Sequence, residues 1–167
     1  MRPLILLLFA FRCFAQPDPW AGLHFLEGTW EARTSGTPGV KASGLYTFQL
    51  ELNGHIMARH SSSDPDCKGP AEFNCAHGDL LYLYSEPGAG LKAIYFDNEG
   101  HTIHYGVSTP APGQAVFLSE AAASGPRFRL TYELKGTVMS GTFQLRMPGA
   151  SAWQSYLEWV GEKRGKR

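Results

Sequence analysis

Apolar and polar residues alternate along most of the chain after Gly28. In "YTFQLEL" (46–52), large apolar residues take every second position and Thr47, Gln49 and Glu51 lie between them. Strict alternation is typical of a β-strand with one buried face. The pattern recurs in segments separated by Gly, Pro, Asn, Asp and Ser, and it predicts ten strands. The predicted strands are 28–35, 43–52, 55–63, 79–85, 91–97, 101–108, 114–121, 127–135, 137–146 and 152–161.

No segment of helical length separates these strands; a turn or two is predicted at Asp18-Pro19, where Asp can cap and Pro can begin a helix. Many short, evenly spaced strands indicate an all-β domain, either a barrel or a sandwich. Closing the sheet would remove the exposed edges that an open sheet of ten strands leaves. The sequence therefore predicts a single antiparallel up-and-down β-barrel of about ten strands.

Short hairpin loops predict which side chains face the barrel interior. Asn53-Gly54 favours a two-residue turn, and Lys135-Gly136 marks a second tight hairpin. The segment "DNEG" (97–100) has an even length, so Phe96 is expected to share a face with Tyr105. Together the hairpins predict an aromatic inner face. Its members are Tyr46, Phe48, Phe96, Tyr105, Phe128, Tyr132 and Phe143.

The same hairpin rule places a charged residue, Arg59, on the inner face opposite Phe48. A buried arginine needs an anion or hydrogen-bond acceptors, so Arg59 could hold the anionic group of a ligand. A bulge after the turn would instead put His60 inside. In the last strand no loop fixes the facing, and we expect inward side chains at alternate positions. These are Trp153, Ser155, Leu157 and Trp159.

The first residues predict export. Arg2 precedes an apolar run from Leu4 to Phe11 that is too short to span a bilayer, and Cys13-Phe14-Ala15 offers a cleavage site. We therefore predict a signal peptide over 1–15, a barrel domain over 16–167 and a periplasmic or secreted location. The alternative is that the apolar run forms a buried N-terminal strand.

If the protein is exported, the two cysteines of the barrel domain are expected to form a disulfide. Cys67 and Cys75 lie in "DCKGPAEFNC", and a pair in an oxidising compartment predicts a disulfide. The alternative is a metal site that also uses His77, although this spacing matches no common zinc pattern.

Composition and motifs restrict the function. Lys and Arg number 15, as do Asp and Glu, and no charged block indicates nucleic acid or a membrane surface as a partner. The sequence has no nucleophile elbow, zinc-protease motif, phosphate-binding Gly loop or dinucleotide fingerprint. We therefore predict no catalytic residue, no metal and no cofactor.

The segment "FLEGTWEAR" (25–33) resembles the Gly-x-Trp motif of the lipocalin and calycin superfamily, with Gly28 and Trp30 at its fixed positions. With "AIYFDNEG" (93–100), the order of turn, motif and meander over 20–162 is similar to uncharacterised lipocalin-like domains of bacterial exported proteins. The resemblance implies a barrel whose Trp30 closes the floor, and small-ligand binding. Haem-binding relatives of the nitrobindin type use a histidine late in the chain, whereas the last histidine here is His104.

The sequence therefore predicts an exported barrel that binds a small, mostly hydrophobic ligand, with an anionic group on the ligand as one option. The seven aromatic residues of the inner face and Arg59 are the eight predicted ligand-binding residues. A second hypothesis is an isomerase, cyclase or hydrolase in the barrel mouth, using Arg59 or His60 with Tyr82 or Tyr84. A third is a non-catalytic module that binds a protein or glycan through its outer loops, notably 64–78, and it predicts a closed interior beside an exposed apolar patch. The sequence specifies neither the ligand nor the oligomeric state.

Overall fold

The computed structural model describes residues 18–36, 38–70, 73–121 and 124–165. These residues form ten antiparallel strands that close into one up-and-down barrel, as the alternation predicts. Both the signal peptide predicted over 1–15 and its alternative, a buried N-terminal strand, lie outside the described residues. Within the described residues, no helix has the length and apolar character needed to cross a membrane.

Each strand pairs with its neighbours in chain order, and β1 pairs with β10 to close the barrel. The closing pairs run from Trp30 opposite Lys163 to Thr34 opposite Trp159. The predicted strand ends agree with the structure to within about two residues. The strands are β1 (Gly28–Thr34), β2 (Ser43–Glu51), β3 (Ile56–Ser63), β4 (Gly78–Glu86), β5 (Gly90–Asp97), β6 (Thr102–Ser108), β7 (Gln114–Ser119), β8 (Arg127–Lys135), β9 (Val138–Arg146) and β10 (Gln154–Lys163).

A short N-terminal turn closes the lower end of the barrel. The Asp18 carboxylate accepts a hydrogen bond of 2.9 Å from the Trp20 amide, and a 3₁₀ turn follows over His24–Leu26. The Trp20 indole donates to the Gly54 carbonyl and the Trp30 indole donates to the Leu26 carbonyl, each at 2.8 Å. Buried indoles are therefore satisfied by backbone acceptors, as amphipathic rings require.

The predicted facing is confirmed in two hairpins, although the second turn lies at 136–137, one residue later than the predicted Lys135-Gly136. Phe48 lies opposite Arg59 in β2 and β3, and Leu130 lies opposite Phe143 in β8 and β9. The predicted two-residue turn at Asn53-Gly54 is wrong, because the loop spans 52–55 and contains a 3₁₀ turn. Four loop residues are also an even number, so the predicted facing of both strands is preserved.

The predicted facing of Phe96 is wrong. Asp97 stays in β5, and its carboxylate accepts hydrogen bonds from the amides of Glu99 and His101. The loop therefore has three residues, 98–100, and Gly100 adopts a φ of 90°. An odd loop reverses the facing of β5, so Tyr95 points inward opposite Ile103 and Phe96 is 39% exposed on the outer face.

The predicted facing of β10 is wrong at its start and correct further on. A register shift between Ser155 and Leu157 changes the alternation, which is the effect of a β-bulge. Trp153 lies outside, where the guanidinium groups of Arg129 and Arg146 cover its ring at 4.5 and 4.9 Å. Ser155 is also on the outer face, opposite Gln144. Beyond the bulge, Leu157 and Trp159 face the interior as predicted.

Candidate functional site

The upper half of the barrel contains a cavity of about 650 Å³. Below it, Phe48, Met57 and Phe117 fill the interior and are at most 1% exposed. Above them the inward positions of β2 and β3 are small, including Gly44 and Ser61, which leaves the space open. The cavity extends from Arg59 at its floor to the loops of the upper end.

One wall of the cavity is apolar and is built by β8, β9 and β10. The rings of Phe128 and Phe143 stack with centroids 5.6 Å apart, and Tyr156 meets Phe143 edge-on at 6.1 Å. Such aromatic pairs present broad apolar surface in fixed geometry. We call this surface the apolar wall. It comprises Phe128, Leu130, Phe143, Leu145, Tyr156 and Leu157.

Arg59 lies at the cavity floor and is 6% exposed. Its guanidinium donates to the carboxylate of Asp79 on β4 and to the hydroxyl of Tyr132 on β8. Burial opposes the charge on Arg59, but Asp79 and Tyr132 together outweigh burial and raise the pKa of Arg59. Burial likewise opposes ionisation of Asp79, and the charge of Arg59 holds the pKa of Asp79 below its usual value. The two side chains form a buried, charge-compensated pair.

A row of polar side chains leads from this pair to the mouth. The imidazole of His77 lies between carboxylates, with Nε2 3.3 Å from Asp79 and Nδ1 2.9 Å from Glu99. The hydroxyl of Tyr95 lies 3.2 Å from His77 Nε2 and donates to Asp97 at 3.1 Å. We call the set the polar cluster. It comprises Arg59, His77, Asp79, Tyr95, Asp97, Glu99 and His101.

The surroundings of His77 favour its positively charged form. Its hydrogen bond to Asp79 raises its pKa, burial opposes this, and the bond to Glu99 raises it further. Burial raises the pKa of Tyr95, so this residue keeps its proton and remains a donor. The polar cluster therefore offers fixed donors and acceptors to a polar group in the cavity.

Five of the eight predicted ligand-binding residues line the cavity: Tyr46, Arg59, Tyr105, Phe128 and Phe143. Phe48 and Tyr132 are buried among the side chains that close the interior. Phe96 lies outside. His60 is also outside, beside Tyr82 and Glu51. Of the two registers considered for β3, the structure therefore has Arg59 inward.

Trp30 is 1% exposed at the lower end, and Gly28 has a φ of 118° at the start of β1. The proposed catalytic partners of Arg59, Tyr82 and Tyr84, share the outward-facing positions of β4 and do not meet it. The structure brings Arg59 together with Asp79 and Tyr132 instead.

Sequence reasoning missed the acidic half of the polar cluster. Asp79 alternates with Leu81 and Leu83, the inward residues of β4, and this period-two placement was a usable signal. The facing prediction for Phe96 counts Asp97 in the loop 97–100, whereas Asp97 ends β5 and Glu99 lies in the loop. The contacts of Asp79 and Glu99 with His77 depend on where the long loop after β3 ends, and its sequence does not specify that.

The predicted disulfide between Cys67 and Cys75 is present, with Cα atoms 5.3 Å apart. The metal-site alternative fails because the two sulfurs are bonded to each other. Among the described residues, no group of His, Cys, Asp and Glu side chains is arranged to hold a metal ion. The disulfide thus ties the chain at Cys75, two residues before His77.

Comparison with known proteins found no family model that matches the chain and no curated protein with significant similarity.

Proposed function

We propose that the barrel binds a small, mostly hydrophobic molecule in the upper cavity. The observation that carries the proposal is one cavity of about 650 Å³ with an apolar wall facing a polar cluster. Small-molecule pockets have volumes of roughly 300–1,000 Å³, and they combine apolar lining with a few placed polar groups. The resemblance to lipocalin-like barrels points to the same class of function.

Burial of apolar surface would supply most of the affinity. Each Å² of apolar ligand surface removed from water contributes about 25 cal/mol before the costs of association. The stacked rings of Phe128 and Phe143 provide this surface, and the polar cluster would orient the ligand. An anionic group on the ligand, suggested by Arg59, stays a prediction. The pairing of Arg59 with Asp79 favours a neutral head group instead.

Export belongs to the same proposal. The residues 1–15 have the sequence pattern of a signal peptide, and Cys67 and Cys75 are joined by a disulfide. Disulfides persist in oxidising compartments. A periplasmic or secreted binding protein fits both observations, and it predicts an N-terminus beginning at Gln16 in the mature protein.

Binding is tested with 1-N-phenylnaphthylamine, a neutral dye that fluoresces in apolar surroundings. Ser61 faces the cavity, whereas His104 is exposed on the outer face of β6, between the inward residues Ile103 and Tyr105. We expect Ser61→Trp to weaken dye binding at least tenfold by filling the cavity, and His104→Trp to bind like the wild type. Circular dichroism establishes that each variant is folded.

Two results would contradict the proposal. The first is a wild-type protein that neither binds the dye nor yields a small molecule on solvent extraction and mass spectrometry. The second is a folded Ser61→Trp variant that binds the dye as tightly as His104→Trp. Dye bound to the outer surface would produce the second result.

A barrel-mouth enzyme is the second candidate, because titratable groups do converge at His77, Asp79, Tyr95 and Glu99. Against it, both imidazole nitrogens of His77 face carboxylates, which favours a charged, immobile ring over a free general base. Extracted ligand that is chemically altered by the wild type and unaltered by His77→Gln would favour the enzyme. The third hypothesis, an interaction module, required a closed interior, and the cavity argues against it.

A further inference from the structure

Two buried polar atoms at the cavity floor have no hydrogen-bond partner among the described residues. They are Nε of Arg59 and the hydroxyl of Tyr46. Both residues line the cavity and are 6% and 4% exposed, respectively. The third such atom, Nε of Arg127, does not belong to the cavity lining. The unpaired groups thus belong to two residues of the cavity lining, and neighbouring atoms cover the two groups themselves.

Both floor groups have a proton to donate. Guanidinium nitrogens only donate, and the indole of Trp159 beside Tyr46 also has only a donor, so the Tyr46 proton lacks an acceptor there. Burial raises the pKa of Tyr46, which keeps the hydroxyl protonated. Buried donors without an acceptor are unfavourable, and an acceptor atom that a bound molecule inserts between the two side chains would relieve both.

The charge at the floor selects among acceptors. The Asp79 carboxylate already compensates the positive charge of Arg59, and Asp97 and Glu99 add negative charge towards the mouth. A ligand carboxylate would bring a second anion next to Asp79 inside a poorly solvated cavity. A neutral acceptor would take the same hydrogen bonds without that repulsion.

We propose that the ligand carries a neutral carbonyl oxygen, as in a ketone, ester or amide, which accepts hydrogen bonds from Arg59 Nε and the Tyr46 hydroxyl. This inference rests on the proposed function and specifies the ligand class for the same cavity. The apolar body of the molecule then lies along the apolar wall, and its far end reaches the mouth.

Three ligands with equal chain lengths test the head group. They are 2-dodecanone, dodecanoate and dodecylammonium, each used to displace 1-N-phenylnaphthylamine at pH 7. We expect 2-dodecanone to bind at least about tenfold more tightly than either charged ligand. The carbonyl stretch of bound 2-dodecanone should lie at lower frequency than in hydrocarbon solvent, because two donors polarise the bond.

Tyr46→Phe tests the floor contact itself. The variant keeps the ring, which stacks on Trp30 at 6.3 Å and meets Tyr132 at 5.9 Å, and removes only a hydroxyl without an acceptor. We expect it to bind 2-dodecanone about 5- to 10-fold more weakly, the effect of one net hydrogen bond, and to lose part of the infrared shift. Tyr82→Phe, on the outer face, should change neither value.

The outcomes separate this inference from the proposed function. Dye binding with dodecanoate as the tightest competitor would overturn the carbonyl proposal and leave the binding function intact. An unchanged affinity and infrared band in Tyr46→Phe would overturn the floor contact, as would water as the partner of both donors in a crystal of the 2-dodecanone complex. Failure of the dye and of all three ligands to bind would overturn both proposals.

Discussion

At the scale of single residues, the position of Arg59 follows from what surrounds it. A lone buried charge would be too costly, and the structure gives Arg59 a carboxylate from the neighbouring strand β4 and a phenol from β8 across the barrel. Removing one member of a buried ion pair leaves the other uncompensated, whereas replacing both with apolar residues avoids that cost. The pair therefore behaves as a unit in any mutational test.

We predict that Asp79→Asn lowers the free energy of unfolding by about 3–5 kcal/mol, because Arg59 then stays buried without an anion. The double variant Arg59→Met with Asp79→Leu should lose less than Asp79→Asn alone. Urea unfolding followed by circular dichroism measures each value.

An exposed ion pair in the same barrel is the control. Arg33 and Glu162 lie 3.2 Å apart with side chains 64% and 61% exposed. Arg33→Met should cost less than about 1 kcal/mol, as exposed pairs do. Equal losses for Asp79→Asn and Arg33→Met would show that Asp79 does not compensate Arg59.

The sequence predicted Arg59 and not its partner for a physical reason. The loop between β2 and β3 is short and even, so its length fixes the facing of Arg59. The loop from β3 to β4 spans 64–77, and a connection of that length fixes no facing for Asp79. The inward facing of Asp79 is indicated only within β4, where Asp79, Leu81 and Leu83 occupy alternate positions.

At the scale of elements, the number of residues in each hairpin loop determines whether the predicted facing of a strand is correct. The even loops after β2 and β8 preserved the facing, whereas the capping of amides by Asp97 shortened the loop after β5 to an odd length. The bulge in β10 moved Trp153 outside in the same way. A side chain that competes with the backbone for hydrogen bonds is visible in a sequence, but its effect on register is not.

Glycine also has an element-scale role where β9 meets β10. Gly141 lies opposite both Tyr132 and Trp159, and a Cβ atom at Gly141 would overlap the Trp159 indole. The close approach lets the indole cover the strand and meet Tyr132 edge-on at 5.7 Å. We predict that Gly141→Ala lowers stability by about 1–3 kcal/mol, the usual cost of overpacking.

The matched control for Gly141 is Gly106 in β6, where an added Cβ atom would meet nothing within 4 Å. Gly106→Ala should leave stability unchanged or raise it slightly, because alanine restricts the unfolded chain. Thermal unfolding of the two variants measures the difference. Equal melting temperatures would mean that Trp159 moves aside without loss.

At the scale of the whole molecule, the barrel divides into a packed lower half and a hollow upper half. Alternation predicts the inner face without predicting its volume, because period two is the same in both halves. The size of the inward side chains carries the missing information: along β3 they decrease from Met57 and Arg59 to Ser61 and Ser63. Alternation alone therefore predicts ligand contacts for Phe48 and Tyr132, which lie in the packed half.

The ionisable groups at the mouth link the stability of the whole barrel to pH. A group with a raised folded pKa contributes stability that is complete below its unfolded pKa and is lost as pH rises through its folded pKa. His77 is such a group, with an unfolded value near 6.5. His24 also has a raised pKa, from hydrogen bonds to Glu27 and Asp18, but it lies at the exposed N-terminal turn.

We predict that the free energy of unfolding decreases as pH rises from 6.5 through the higher folded pKa of His77, because Asp79 and Glu99 bind its charged form in the folded state only. Urea unfolding at several pH values measures this decrease, and His77→Gln should flatten it. His24→Gln should keep most of it, since solvent screens that exposed cluster. A His77→Gln curve parallel to the wild type would mean that the carboxylates at the mouth do not hold a charged His77.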